Sequence, residues 1–274
     1  MYLEYYNLKE KPFSVTADPN FLYLSKKHKE AISHMQYGIQ ERMGFLEITG
    51  EIGAGKTTIC KAVLNQLDQH TKTAFILNGN LSEIQLLQAI IEDFGVQVKN
   101  KNKITMLNGL NKFLLEQLGH KNNVVLIIDE AQNLKPSLLE QVRLLSNLET
   151  EKEKLLQIIL VGQPELREKL ASGELKQLRQ RIAIRYHISP LSMHEVEGYI
   201  SHRLSVAGRS NNGDIFHKDA LEEIFKFSGG IPRLINIACD KSLLAGYIAD
   251  KKIIDSSIIK KCVKEIEGVF DEHC

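Results

Sequence analysis

Residues 45–58 read FLEITGEIGAGKTT, an apolar run that turns through a glycine-rich stretch into the amphipathic segment ICKAVLNQL. No other feature of the chain limits its fold as tightly. Gly50-Glu51-Ile52-Gly53-Ala54-Gly55-Lys56-Thr57 fits G-x-x-x-x-G-K-[ST], with Thr58 next in line. Glycines let such a backbone curl until successive N–H groups point at phosphate oxygens, and the helix that follows adds its positive N-terminal end. In that geometry Lys56 reaches the β- and γ-phosphates and the Thr57 hydroxyl ligates Mg²⁺. With glycine near 7% of residues, a chain of this length would show the pattern by chance about once in a hundred. The strand before it and the helix after it lower those odds further.

The rest of the chain agrees with a strand–loop–helix unit. The runs FLEIT (45–49), TAFILN (73–78), VVLIID (124–129), QIILVG (157–162) and IRYHI (184–188) are short, apolar and rich in β-branched residues. Such runs suit a sheet covered on both faces. Helical periodicity falls between them, over about 56–69, 82–94, 104–119 and 136–149. Ser82 with Gln85 makes a capping box, and Pro136 suits a first helical turn. Alternation of this kind predicts an αβα sandwich with a five-stranded parallel sheet over residues 1–190. Strand signals then stop. SMHEVEGYISHRL, HKDALEEIFKF, IPRLINIACDKSLLAGYI and DSSIIKKCVKEIEG all carry helical spacing, with a second capping box at Ser192 and Glu195 and an N-cap at Asp255. Residues 191–274 are therefore expected to form a small all-helical domain, broken at GRSNNGD (208–214) and SGG (228–230).

Composition excludes several classes. A net charge of +1 gives no overall pull toward DNA or an anionic membrane, although a local basic patch could. Cys60, Cys239, Cys262 and Cys274 have no CxxC or zinc spacing and read as reduced thiols, and the nine histidines form no HExxH. MYLEYYNLKEKPF lacks a signal-peptide pattern, and no apolar run approaches the length that spans a bilayer. The expectation is a cytoplasmic protein.

A phosphate cradle needs a metal partner and a group that orients water. VVLIIDEAQ ends a buried strand in Asp129, placed to hold Mg²⁺, and Glu130, placed to face an attacking water. Taken alone, the pair could be a solvated acidic strand end. Gln163 follows the apolar QIILVG and could hydrogen-bond the γ-phosphate or the water, or simply be a loop residue before Pro164. Arg179 and Arg181 in LRQRI could stabilise charge on a transferring phosphoryl group, including in a neighbouring subunit; a basic surface cluster is the alternative. Arg233 in GGIPRLIN opposes a helix dipole at a cost of about 0.3–1 kcal/mol, which a bound γ-phosphate would offset.

Together these features resemble an AAA+ ATPase, and the likeness covers nearly the whole chain. YYNLKEKPF matches Y-x-x-L-x-x-x-P-F, and FLYLSKKH and YGI follow it. With LVGQPEL and LRQRI, they resemble the general secretion pathway A-type (ExeA-like) ATPases, whose frame exosortase-associated ATPases and transposition regulators share. The resemblance implies triphosphate binding by Gly50 to Thr58 and a Walker B pair in Asp129 and Glu130. It further implies a first sensor in Gln163, an arginine finger in Arg181 and a second sensor in Arg233. Pro12, Phe13 and Tyr23 would lie near adenine, and Asn78 would restrain the catalytic glutamate. Secretion-type proteins typically continue into a transmembrane segment and a peptidoglycan-binding domain. These 274 residues hold neither, so no membrane insertion by this chain is expected.

The expected activity is Mg²⁺-dependent ATP hydrolysis in a homo-oligomer, a hexameric ring or filament assembled with ATP, that drives assembly or remodelling of a protein partner. The alternative is an ATP-gated regulator that builds on DNA. A DEAD-type helicase, suggested by DEAQ, needs two tandem ATPase-like domains, and only one cradle is present.

Overall fold

The computed structural model describes residues 1–14, 18–77, 81–150, 153–209 and 214–269. Asn78 lies outside them. In chain order the helices are α1 (Tyr2–Tyr5), α2 (Lys26–Gln40), α3 (Lys56–Leu64), α4 (Glu83–Asp93), α5 (Lys103–Gly119), α6 (Pro136–Leu145), α7 (Pro164–Ala171), α8 (Lys176–Arg181), α9 (Met193–Val206), α10 (Lys218–Ser228), α11 (Pro232–Ile248) and α12 (Ser256–Ile266). The strands are β1 (Phe45–Gly50), β2 (Thr71–Ile76), β3 (Asn123–Ile128), β4 (Gln157–Gly162) and β5 (Ile182–Ile188). The chain forms two compact units.

Lys27–Gly50 with Ile59–Ile188 makes the sheet unit. Its five strands are all parallel, in the order β2-β3-β4-β1-β5. Strands β1 and β4 are buried along their whole length, and β3 at every position after Asn123. Continuous apolar runs were expected there because helices cover both faces. The edge strands differ. In β5 only Ile182 and Ile188 are buried, and Arg185 turns back to pair through Nε with Glu47 of β1 at 3.2 Å. Burial pushes the Glu47 carboxyl up, and the Arg185 and Arg167 charges oppose that shift.

Helices α3 and α6 end earlier than their periodicity implies, each for a local reason. After α3, Asp68 Oδ1 accepts from the His70 N–H and the Thr71 hydroxyl, both at 3.0 Å, a turn that starts β2. After α6, Arg181 Nη1 donates to Ser146 Oγ at 2.7 Å and Asn147 Oδ1 at 2.6 Å, holding the chain out of the helix. Helix α7 gives almost no periodic signal, since it buries only Leu166 and Leu170.

Met1–Lys26, Glu51–Thr58 and Ser189–Cys274 make the second unit. Helices α9 to α12 surround a core that includes Val196, Ile200, Ile224, Ile235, Leu243 and Ile259. The Ser192–Glu195 capping box is formed, as is Ser82–Gln85 in the sheet unit. The sequence grouped residues 1–190 together, but residues 1–26 and the glycine-rich loop pack with the C-terminal helices instead. The first segment is tied there by hydroxyls and rings. Tyr2 donates to Asp240 Oδ1 at 2.5 Å, Tyr6 to the Lys251 carbonyl at 2.9 Å, and the Phe13 ring meets Phe216 edge-on. Arg203, buried at 5% exposure, completes the attachment. Its Nε donates to the Pro12 carbonyl at 2.6 Å, Nη2 to Ser14 O at 3.1 Å and Nη1 to the Tyr199 hydroxyl at 2.8 Å.

Asp255 caps α12 by accepting from the Ser257 and Ile258 N–H groups at 3.0 and 3.2 Å. Side-chain bonds from Ser257 and Lys251 hold its carboxyl well below the usual range. A depressed folded value means this stabilisation is complete above the unfolded pKa of about 3.9 and is lost as pH falls below it. Asp255→Ala should cost about 1 kcal/mol at pH 7 and flatten the acid limb of the melting temperature between about pH 4 and pH 2. An unchanged thermal melt at pH 7 would remove Asp255 from the cap.

Candidate functional site

Parallel alignment brings the carboxy ends of β1, β3 and β4 to one edge of the sheet, where ligands of open α/β sheets bind. Gly50 closes β1 at that edge, Thr49 lies in register with Gly162, and Asp129 and Gln163 directly follow β3 and β4. The adjacency of Gly50, Asp129-Glu130 and Gln163 thus follows from strand register.

The glycine-rich loop continues from Gly50. Gly53 and Gly55 have φ of +83° and +88°, a region that L side chains avoid. The Ala54 N–H donates to Glu51 O at 3.1 Å, closing a tight turn. Helix α3 begins at Lys56, so the N–H groups of its first turn border the loop. Lys56 is 6% exposed, and its ammonium donates to Glu51 O at 2.9 Å. The buried cation therefore sits on a loop carbonyl, a partner that an anionic phosphate can replace. Ile52 is exposed, and Thr57 and Thr58 are half-buried. In the same unit, the exposed Arg233 comes against the loop, its backbone N–H donating to Gly53 O at 3.3 Å.

The acidic pair is held differently. Asp129 is fully buried, its N–H donates to Ile76 O at 2.8 Å, and its Oδ1 accepts the Glu130 N–H at 2.9 Å. Glu130 takes a left-handed backbone, φ +54° and ψ +35°, which is uncommon outside glycine, asparagine and aspartate. The carboxylate is fixed by two amides. Gln132 Nε2 donates to Glu130 Oε2 at 2.5 Å and Gln163 Nε2 to the same oxygen at 3.0 Å. Gln132 Oε1 in turn accepts the Gln163 N–H at 3.1 Å, and Lys169 holds the carbonyls of Gln132 and Leu134. A Cβ on Gly162 would lie 2.8 Å from Gln132 Oε1, so the close approach of this amide requires glycine at 162. The sequence singled out Glu130 and Gln163, which the structure brings together, but not Gln132, which bonds both. The signal was present in DEAQ, two positions past the glutamate.

The arginines of α8 divide. Arg181 Nη1 is engaged by Ser146, Asn147 and, at 3.4 Å, Arg143 O, all at the end of α6. Arg179 is exposed, while its carbonyl accepts from Arg185. Pro12 and Phe13 are buried in the helical unit, Phe13 at 2% exposure. Tyr23 is half-buried, edge-on to Tyr199 at 6.0 Å between ring centroids.

Comparison with known proteins matches this geometry. An AAA domain model matches residues 39–170, which include the loop, the acidic pair and Gln163. General secretion pathway protein A of Aeromonas hydrophila is 43% identical over 273 residues, which are 99% of this chain and 50% of that protein. The chain thus carries an AAA domain and is similar over nearly its whole length to general secretion pathway protein A. It spans about half the length of that relative. Among solved structures, the Aeropyrum pernix ORC2 protein, in ADPNP–ADP complexes, superposes with a TM-score of 0.67 at 17% identity, covering 94% of this chain and 72% of that one. The Thermotoga maritima RuvB Holliday junction branch migration motor gives 0.54 at 18% identity, over 90% and 72%. At such identities these two similarities establish the fold alone. No helix among the described residues is long and apolar enough to cross a membrane.

Proposed function

We propose that the chain is a cytoplasmic Mg²⁺-dependent ATPase that works as a homo-oligomer and uses ATP to assemble or remodel a protein partner. The observation that carries this reading is the glycine-rich loop, with two glycines at positive φ and a buried lysine whose ammonium donates to the loop carbonyl of Glu51. Backbone N–H groups of residues 51–58 bind the phosphates, Lys56 and Arg233 neutralise their charge, and Glu130 orients the attacking water. Water oxygen bonds to the γ-phosphorus, its proton passes to the Glu130 carboxylate, and the bond to the bridging oxygen breaks to leave ADP. Gln163 stands just past β4 and bonds Glu130, so it is suited to align water against the γ-phosphate. Thr57 and Asp129 would hold Mg²⁺, hard oxygen donors that suit this ion. Bound there, it would spread the negative charge of the β- and γ-oxygens. Pro12, Phe13 and Tyr23 border the base side. An arginine of α8, Arg181 or Arg179, is supplied to a neighbour's site.

Lys56→Ala removes the cation at the phosphates and should abolish tight ATP binding. Calorimetric titration checks this, and an unchanged ATP affinity would sink the assignment of the loop.

A further inference from the structure

The loop motif leaves position 53 open to any residue, yet Gly53 is glycine. The structure shows a reason on the side facing α11. A Cβ at Gly53 would fall 2.4 Å from Arg233 Cβ and 3.2 Å from its Cδ, and φ there is +83°. Helix α11 also lacks a cap of its own. Ile231 occupies the cap position with no side-chain bond and Pro232 has no N–H. The first helical N–H is that of Arg233, and it goes to the carbonyl of Gly53.

We infer that Gly53 is a positioning residue whose carbonyl caps the helix bearing Arg233, so that loop conformation and helix seating change together. The inference rests on reading Glu51–Thr58 as the phosphate loop. A second glycine extends the connection. Gly230 has φ +80°, its carbonyl accepts the Leu191 N–H at 2.9 Å, and a Cβ on it would lie 1.9 Å from Leu191 O. The Ile231 N–H returns to Ser228 O at 3.0 Å, fixing the turn between. From the loop to Leu191 the connection therefore passes through two backbone bonds, each at a glycine that cannot take a side chain in place. When ATP rearranges the loop, the first turn of α11 and the start of the helical segment at Leu191 respond before the Arg233 side chain makes any contact.

Amide exchange on the full chain tests this. In the nucleotide-free protein the Arg233 amide should be protected, and Gly53→Ala should speed its exchange about tenfold while Ile235, bonded within the helix to Ile231 O, stays slow. Equal Arg233 rates in the two proteins would overturn the inference. Ile231→Ser covers the case in which Gly53→Ala fails to fold or unseats all of α11. Ile231 already has the extended backbone of a cap, so serine can bond the first-turn N–H groups without the loop. With this variant, adding ADP should no longer change Arg233 and Leu191 exchange, whereas in the parent protein it should. A response as large as the parent's overturns the inference. A parent protein that binds no ADP would instead overturn the phosphate-loop reading, and the nucleotide-free contrast between Arg233 and Ile235 would still decide the cap.

Discussion

Glu130→Gln is expected to leave ATP bound and lower its turnover about 10²–10⁴-fold, the usual contribution of a positioned proton acceptor, or roughly 3–5 kcal/mol of barrier. The substitution is chosen to leave the surroundings intact. Glu130 Oε2 accepts two amide donors, from Gln132 and Gln163, and a glutamine oxygen can accept both in the same place. Backbone strain at φ +54° is common to both residues. Only the ability to take a proton is lost. Single-turnover cleavage of labelled ATP, measured beside equilibrium binding, separates the two effects. Turnover within a few-fold of the parent would mean that Glu130 is not the acceptor.

The second large effect concerns the arginines of α8. An arginine finger supplied by a neighbour accelerates transfer about 10³–10⁵-fold, or roughly 4–7 kcal/mol. Arg181→Ala should nearly silence hydrolysis and leave monomer ATP binding almost intact. Mixed with Lys56→Ala, it should regain activity, because some interfaces then join an intact loop to an intact arginine. The contacts of Arg181 with Ser146 and Asn147 add a second consequence, some loosening after α6 that a thermal melt would register. Arg179→Ala avoids that complication, since its exposed side chain is free to reach outward. Silencing and recovery with the Arg179 variant, and not with Arg181, would move the role to Arg179. No recovery with either, despite verified co-assembly, would contradict a shared site.

Strand positions were legible because burial on both faces of a parallel sheet imposes continuous apolar runs, and VVLII and IILV can serve as little else. Capping boxes were equally plain, since Ser82–Gln85 and Ser192–Glu195 are local chemistry. The glycine-rich loop was singled out by its G-x-x-x-x-G-K-[ST] spacing, and the acidic pair and Gln163 because each directly follows an apolar strand. What escaped depended on long-range contact. Arg203 bonding to Pro12 spans 191 residues and carries no local pattern, so the first segment was grouped with the sheet. Helix α7 buries two leucines and looks like a loop. Gln132 becomes visible as a partner of Glu130 only when the left-handed turn at Glu130 folds DEAQ back on itself. Gly53 was read with the other loop glycines as part of the phosphate cradle, and its second role shows only where Arg233 lies against it.

On the proposed function, this chain hydrolyses ATP at a site completed by a second copy. Phosphate release by the purified chain with ATP and Mg²⁺, followed across a range of protein concentrations beside Lys56→Ala, tests it most directly. The predicted result is release that rises faster than in proportion to protein and coincides with ATP-dependent assembly in light scattering. Release no greater than that of Lys56→Ala would contradict the hydrolysis, and strictly proportional release from a persistent monomer would contradict the shared site.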